Sequence, residues 1–148
     1  MADPWLSAFE AAEAAAARGE VPVGAAIVGP DGRVLATAGN RTEELHDASA
    51  HAELLAMREA AAKLGSPRLD GCDLYVTLEP CTMCAGAISL FRIRRLYYSA
   101  YDPKGGGVDH GARFFTRPTC HHRPEVYGGI RESEGAELLT RFFGERRG

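Results

Sequence analysis

DLYVTLEPCTMCAGAISLF, residues 73–91, joins an apolar run to a helical pattern across a single proline. The run at 73–78 is almost continuously apolar, which predicts a strand buried on both faces, as in the middle of an α/β sheet. Pro80 suits the first turn of the helix that follows. Cys81 and Cys84 therefore lie where a strand meets a helix N-terminus, and there the helix dipole lowers the pKa of a thiol and favours the thiolate.

The patterns on either side predict a mixed sheet with helices on both of its faces. Asp3, Pro4 and Gly19 mark the ends of an alanine-rich N-terminal helix, and Ser49 is the candidate N-cap of a second helix. The order of elements fits one α/β domain spanning residues 1–148. Further strands are expected at 24–29, 34–39, 92–100 and 124–130, and further helices at 47–65, 81–91 and 132–147.

Two details of packing are predicted from the same patterns. In the strand expected at 92–100, Ile93, Arg95 and Tyr97 alternate onto one face, and the tyrosines of this strand are interpreted as packing residues. In the amphipathic C-terminal helix, Phe143 is assigned to the core.

Composition places the chain among ordinary globular proteins, with 45% hydrophobic and 25% charged residues. Its apolar stretches are too short to cross a bilayer, so no membrane partner is expected. The N-terminal twenty residues lack the basic region of a signal peptide, which predicts a cytoplasmic location. Cysteines stay reduced there, so the four cysteines, at 72, 81, 84 and 120, are expected to be metal ligands or buried thiols.

The net charge of −3 hides an asymmetry between the two parts of the chain. Residues 1–90 hold 6 basic and 13 acidic side chains, whereas residues 91–148 hold 11 basic and 7 acidic ones. Ten of those eleven basic residues are arginine, a residue suited to a phosphate-bearing partner. A solvated surface of mixed sign explains the charges equally well.

The Cys81–Cys84 pair alone fits either a metal site or a thioredoxin-like redox dithiol. SAHAEL, residues 49–54, adds His51 and Glu53 at the start of another helix. If both helices begin at the same sheet edge, one histidine and two cysteines converge as ligands that suit Zn²⁺ and leave a fourth position for water. Glu53 would then move a proton of that water.

This interpretation depends on one geometric condition, and one alternative metal site competes with it. Positions i and i+2 of a regular helix do not face each other, so His51 must lie where the first turn is looser. The rival is a closed structural site, in which Cys120 and His121 or His122 join the two cysteines. That rival leaves the His51–Glu53 pair without a purpose. The pattern H-x-E followed by P-C-x-x-C is the signature of zinc-dependent deaminases.

Six segments of the chain together resemble the bacterial tRNA-specific adenosine deaminases, within the cytidine deaminase-like superfamily. The zinc signature is shared with cytosine, guanine, deoxycytidylate and riboflavin-pathway deaminases, so it indicates the chemistry only. EVPVGA, the YDPKGGG loop and the LLTRFF helix favour the tRNA branch. The segments are EVPVGA (20–25), GNR (39–41), AHAE (50–53), LYVTLEPCTMCAGAI (74–88), RIRR (92–95) and DPKGGG (102–107).

The resemblance implies a cytidine deaminase-like three-layer α/β/α fold with a five-stranded mixed sheet, and a homodimer with one zinc ion per subunit. It implies hydrolysis of the wobble adenosine to inosine in a tRNA anticodon stem-loop, with a zinc-activated water. His51, Cys81 and Cys84 would bind zinc, and Glu53 would shuttle the proton. The implied substrate contacts are Asn40 at the base or ribose; Glu20, Val21 and Pro22 as the pocket wall; Asp102 and Lys104 at the anticodon backbone; and Phe142, Arg146 and Arg147 at neighbouring nucleotides.

Two departures from the family pattern affect the RNA contacts. The family commonly has Pro-Gly-Met-Asn-His where this chain has PTCHH at 118–122, and His122 is the better match for a contact with RNA. The chain also stops at GERRG without a long basic tail, so capture of tRNA would depend on the arginines already present.

Two other functions remain open. One is a free-base or nucleotide deaminase of the same fold, acting on guanine or cytosine. The other is a non-catalytic zinc-binding RNA module. The arginine-rich part favours the tRNA enzyme and the RNA module, whereas the intact Glu53 favours the two enzymes.

Overall fold

Five strands form the centre of the molecule in the computed structural model, which describes residues 3–147 and, at 145–147, only the course of the backbone. The strands are β1 (Gly24–Val28), β2 (Val34–Gly39), β3 (Asp73–Leu78), β4 (Arg95–Ala100) and β5 (Glu125–Tyr127). Their order in the sheet is β2-β1-β3-β4-β5. β1 pairs antiparallel with β2 and β3, while β3, β4 and β5 run parallel. The sheet is mixed, as the sequence predicts.

Four α-helices within residues 3–147 cover the two faces of this sheet. They are α1 (Pro4–Ala17), α2 (Ala52–Leu64), α3 (Thr82–Phe91) and α4 (Glu132–Arg147). α1 and α4 contact each other on one face, and α2 and α3 contact each other on the other. The predicted three-layer α/β/α fold with a five-stranded mixed sheet is therefore confirmed.

The alternation of the strands divides the core into these layers. Alternate residues of β1, β3 and β4 join α2 and α3 in one cluster of buried residues, and Ile27, Val76 and Leu96 are wholly buried there. Tyr75 and Tyr97 point to the other face and stack with ring centroids 4.5 Å apart. Tyr98 is wholly buried, so the tyrosines of β4 pack as expected.

The alanine-rich composition of α1 follows from how closely it lies on the sheet. Ala8, Ala12 and Ala15 are wholly buried. A Cβ atom at Gly24 of β1 would lie only 1.9 Å from the carbonyl oxygen of Ala8, so no larger residue fits at that position. Small residues on both surfaces therefore let the helix backbone approach the strand.

The structure corrects the predicted start of β4. The strand begins at Arg95 instead of residue 92, because Arg92 adopts a left-handed conformation (φ 60°) that ends α3. Ile93 consequently precedes the strand and is wholly buried in the core. The alternation predicted from Ile93 onward applies only from Arg95.

The structure also corrects the assignment of the two phenylalanines in α4. Phe142 is 8% exposed and packs inward, whereas Phe143 is 45% exposed. The prediction that Phe143 belongs to the core is therefore wrong. Across residues 3–147, no helix combines the length and apolarity needed to span a bilayer.

Candidate metal centre and active site

His51, Cys81 and Cys84 meet at one edge of the sheet. His51 Nδ1 lies 3.6 Å from Cys81 Sγ and 3.4 Å from Cys84 Sγ, and all three ligand atoms lie within 4.8 Å of one another. A tetrahedral zinc ion with ordinary bond lengths would separate such atoms by roughly 3.5–3.8 Å. The donor set and its spacing therefore fit zinc, with a fourth position left for water.

The local backbone explains why these side chains can converge. His51 precedes α2 and Cys81 precedes α3, each in an extended conformation and neither with a side-chain capping hydrogen bond. His51 therefore lies outside the helix, which removes the geometric difficulty of the i, i+2 spacing with Glu53. The predicted N-cap was wrong, because Ser49 Oγ donates to Asp47 Oδ1 at 2.7 Å instead.

Asn40 takes over the capping of α2. Its Oδ1 accepts a hydrogen bond of 2.8 Å from the backbone N–H of Ala52, the first residue of the helix. His51 occupies the N-cap position but is thereby free to serve as a ligand. With the oxygen engaged in this way, the amide NH₂ group of Asn40 is the donor available to a ligand in the adjoining cavity.

Glu53 is 4% exposed and lines the same cavity as His51 and Cys81. Burial raises its pKa to about 7, against the opposing effects of a backbone N–H and the His51 imidazole. A carboxyl group with a pKa near neutrality can both accept and release a proton under physiological conditions. Glu53 is therefore suited to proton transfer.

The two thiols have pKa values shifted in opposite directions. The Cys84 thiol and then the His51 imidazole hydrogen-bond to Cys81, and they lower its pKa to about 4 despite partial burial. The hydrogen bond to Cys81, together with burial, raises the pKa of Cys84. A thiolate is thus favoured at Cys81, and binding of a metal ion would deprotonate both thiols.

The cavity beside these residues has a volume of about 230 Å³. Three of the predicted substrate contacts, Val21, Asn40 and Asp102, line it. Valine and leucine side chains make part of the wall apolar, while the remaining groups are polar or ionisable. The lining residues are Val21, Val23, Asn40, Thr42, His51, Glu53, Leu78, Glu79, Cys81 and Asp102.

Other predicted substrate contacts lie elsewhere. Glu20 is 2% exposed, and its carboxylate accepts hydrogen bonds from the backbone N–H groups of Glu43 and Glu44, at 3.1 and 2.8 Å. It therefore holds the turn beside the cavity instead of facing a ligand. Pro22 is wholly buried, and Lys104 is exposed on the loop after β4.

Of the predicted RNA contacts in the C-terminal part, His122 and Phe142 are not among the residues that line the cavity. His122 lines a separate cavity beside α3, and its Nε2 lies 2.7 Å from the carbonyl oxygen of Ile93. Phe142 is buried against the body of the protein. The side chains of Arg146 and Arg147 lie outside the described residues. The RNA-binding roles of these four residues stay predictions.

The rival four-ligand metal site is not formed. Cys120 is 5% exposed, and its Sγ contacts Ser89 Oγ at 3.7 Å and the carbonyl oxygen of His122 at 3.2 Å. Among the described residues, Cys81 and Cys84 form a candidate metal group with His51 alone. Cys120 is therefore a buried thiol of the core.

Sequence reasoning missed Glu79 as part of the site. This residue is 2% exposed, lines the cavity and accepts hydrogen bonds from the loop that follows β4. The one available signal is an acidic residue placed between an apolar strand and the Pro80-Cys81 junction. A carboxylate at such a buried position needs several donors.

Known proteins resemble this chain in sequence and in structure. Residues 5–100 match the family model of the cytidine and deoxycytidylate deaminase zinc-binding region. The tRNA-specific adenosine deaminase of Agrobacterium fabrum is 62% identical over 136 residues, which cover 92% of this chain and 89% of that protein. The tRNA-specific adenosine deaminase of Aquifex aeolicus is 45% identical and covers 95% of this chain and 91% of its own.

Solved structures agree with these sequence matches. A structure from work on A-to-I editing by tRNA:A34 deaminases at the wobble position gives a TM-score of 0.90 at 60% identity, covering 92% of this chain and 98% of that one. The predicted zinc cofactor agrees with the family match and with the positions of His51, Cys81 and Cys84. The chain belongs to the tRNA-specific adenosine deaminases of the cytidine and deoxycytidylate deaminase family.

Proposed function

We propose that this chain hydrolyses the wobble adenosine of a tRNA anticodon stem-loop to inosine and ammonia. The observation that carries the proposal is the placement of Glu53, buried beside His51, Cys81 and Cys84, in a chain 62% identical to a tRNA-specific adenosine deaminase. When bound by these three residues, one zinc ion per subunit supplies the Lewis acidity that makes water a nucleophile near neutral pH.

Glu53 carries the protons of the reaction. Its carboxylate takes one proton from the attacking water as the C6–O bond forms, and it delivers that proton to N1 of adenine. It then relays the remaining hydroxyl proton to the amino group, which leaves as ammonia when the C6–N bond breaks. A pKa of about 7 suits both directions of transfer.

The cavity wall orients the base for this reaction. The NH₂ group of Asn40 donates to an acceptor on the base or ribose, while Val21, Val23 and Leu78 provide an apolar surface for the ring. Extruding a base from the anticodon loop costs a few kcal/mol, about what contacts with a splayed base can offset. Glu20 supports the wall indirectly through the turn that contains Glu43.

The loop after β4 and the C-terminal helix are proposed to bind the RNA outside the cavity. Asp102 lines the cavity edge, and Lys104 is exposed on the same loop. Phe142 is only 8% exposed, so the ring of Phe143, which is 45% exposed, is the more accessible stacking surface of that helix.

A cytoplasmic location is part of the same proposal. All four cysteines are free, which suits the reducing cytoplasm in which tRNA is modified.

A free-base deaminase is the second candidate, because the guanine deaminase of Nitrosomonas europaea has the same fold. Its structure gives a TM-score of 0.78 at 25% identity and covers 94% of this chain and 82% of that one. The test offers the purified enzyme an adenosine-wobble stem-loop, free guanine and cytidine in parallel, with product detection by mass spectrometry. Formation of inosine in the RNA, without turnover of guanine or cytidine, supports the tRNA enzyme. Turnover of guanine without inosine in the RNA overturns this proposal.

A second copy of the chain is proposed to cover the exposed face of α3. Met83 is 42% exposed and Leu90 is 80% exposed, and they lie two turns apart on the same side of the helix. Gly86 lies between them and lines a cavity with Leu90. An apolar stripe of this kind is typical of a subunit interface.

The oligomeric state of a Leu90→Glu variant tests this arrangement. Light scattering should show a dimer for the wild type and a monomer for the variant, because a buried carboxylate opposes association. Leu6→Glu is the matched control, since Leu6 is 54% exposed on α1, and it should remain dimeric. A monomeric wild type would rule out the homodimer.

A further inference from the structure

Glu79 occupies the junction between the metal centre and a neighbouring loop. It follows the last residue of β3 and precedes Pro80 and Cys81. Its side chain is almost completely buried, with 2% exposure. The carboxylate points into the loop at 102–110, which follows β4 and contains Asp102 of the cavity wall.

Five donors of that loop converge on the two oxygens of this carboxylate. Oε1 accepts from the backbone N–H of Asp102 at 3.0 Å and from His110 Nδ1 at 2.8 Å. Oε2 accepts from the backbone N–H groups of Val108, Asp109 and His110, at 3.2, 3.0 and 3.1 Å. Both oxygens are thus fully engaged, so this carboxylate is not available as a proton carrier for the substrate.

The loop has the shape of a shell around the carboxylate. A Cβ atom at Gly106 would lie 2.3 Å from Glu79 Oε2, so only glycine allows the backbone to come this close. Gly107 donates to the carbonyl oxygen of Pro80 at 2.8 Å, which joins the loop directly to the metal-binding junction. Hydrogen bonds to a charged acceptor are roughly twice as strong as neutral ones, so one buried charge can order a loop that has no strand partner.

We propose that Glu79 is a positioning residue for the deamination, because it fixes the 102–110 loop and thereby the position of Asp102, which lines the substrate cavity. Glu79 thus connects Asp102 to the metal centre, since it lies two residues before Cys81. A loosened loop would leave the metal site and Glu53 intact but would misplace the groups that receive the RNA. This inference rests on the proposed function.

The variant Glu79→Gln tests the role with little change in shape. The amide keeps one acceptor but presents an NH₂ group to donors that need the second, so several loop N–H groups lose their partner. We expect KM for an anticodon stem-loop to rise by about tenfold or more, because a mobile loop weakens binding of the RNA. We expect kcat to stay within about threefold of wild type, because the metal site and Glu53 are unchanged. Zinc should remain at one per chain, and amide hydrogen exchange at 102 and 108–110 should accelerate.

Asp73→Asn is the matched control. Asp73 lies at the opposite end of β3, is 7% exposed, and accepts hydrogen bonds of 3.0 and 2.8 Å from Arg94. Its variant should lower the Tm without raising KM. Gly106→Ala disturbs the same contact from the loop side and should also raise KM. This second variant tests the inference if Glu79→Gln fails to fold. Glu79→Asp retains the charge and should give an intermediate KM.

Three results would overturn the inference. One is an unchanged KM in both Glu79→Gln and Gly106→Ala, which would make Glu79 a stabilising residue only. The second is an equal rise of KM in Asp73→Asn, which would make the effect unspecific. The third is loss of zinc from the Glu79→Gln protein. Failure of the proposed function is distinguishable, because the wild type itself would then make no inosine.

Discussion

Glu53 and Glu79 line the same cavity and are both almost fully buried, yet the pKa values of their carboxyl groups are shifted in opposite directions. Burial dominates at Glu53 and raises its pKa to about 7. Burial opposes ionisation at Glu79 as well, but hydrogen bonds from the Asp102 backbone, the His110 side chain and further backbone groups hold its pKa below the usual range. One carboxyl group can therefore carry a proton, while the other remains a fixed charge.

Replacement of Glu53 should abolish catalysis without loss of the metal. Glu53→Gln is expected to lower kcat by about 10²–10⁴-fold, because a general acid–base group contributes this much. Zinc content, measured by mass spectrometry of the metal, should stay at one per chain. Glu59→Gln is the control, since Glu59 lies on the exposed side of α2 and pairs with Lys63. Turnover within a few-fold of wild type in the Glu53 variant would refute the proton-transfer role.

Removal of zinc should reduce both activity and stability. A ligand that binds only the native state stabilises it by an amount that grows with its concentration over Kd. Chelation is therefore expected to eliminate inosine formation and lower the Tm, and added Zn²⁺ should restore both. Cys84→Ser should show the same two losses before any chelator is added. An apoprotein with full activity would contradict the assignment of His51, Cys81 and Cys84.

Asn40 has two functions that a pair of variants can separate. Asn40→Asp keeps an oxygen that can accept from the Ala52 N–H but loses the NH₂ donor. Its Tm should stay near that of wild type, while kcat/KM falls by roughly 10-fold or more, as for a lost substrate hydrogen bond. Asn40→Ala should also lose about 1 kcal/mol of stability, the usual cost of removing a helix cap. Equal activity of wild type and Asn40→Asp would show that the amide does not contact substrate.

Glu20 should make folding stability depend on pH in the acid range. Burial opposes its ionisation, but backbone N–H groups of Glu44 and Glu43, with Thr42 and Arg18, lower its pKa below the ordinary value. A lowered folded-state pKa gives stability that is present above the unfolded pKa, about 4.3, and is lost as the pH falls through the folded pKa.

The Tm difference between wild type and Glu20→Gln should therefore narrow as the pH falls from about 6 to 3. Glu10→Gln, at an exposed position on α1, should show no such trend. A gap that stays constant over this range would contradict the role of the Glu20 charge in holding the 42–44 turn.

Much of the fold could be predicted because its signals are local. The apolar run of β3, the two strands around the turn at 30–33, and α4 begin and end at or within one residue of the expected positions. Three elements departed further from the expected bounds. α2 begins at Ala52 instead of residue 47, and β5 ends at Tyr127 instead of residue 130. β4 begins late, since the left-handed conformation of Arg92 ends α3 just before the buried Ile93. Which phenylalanine of α4 faces inward depends on how the helix docks on the sheet.

The zinc ligands of the site could be predicted from the sequence, but the residues that hold these ligands in position could not. The spacing of His51, Cys81 and Cys84 identifies three zinc donors at two helix starts. The residues that position the ligands lie elsewhere in the sequence. Asn40, for example, accepts a hydrogen bond from the N–H of Ala52, twelve positions later, and so caps α2. Such contacts form only when the sheet is assembled, so no local pattern predicts them. The extent of the domain, 1–148, stays a prediction.

The most direct test of the central claim is the fate of the wobble nucleoside in water enriched in ¹⁸O. An adenosine-wobble stem-loop is incubated with zinc-loaded enzyme, digested to nucleosides and analysed by mass spectrometry. The proposed hydrolysis predicts inosine at the wobble position only, with one ¹⁸O atom per inosine at the former site of the amino group. Adenosine that remains unchanged, or inosine that carries no label, would contradict it.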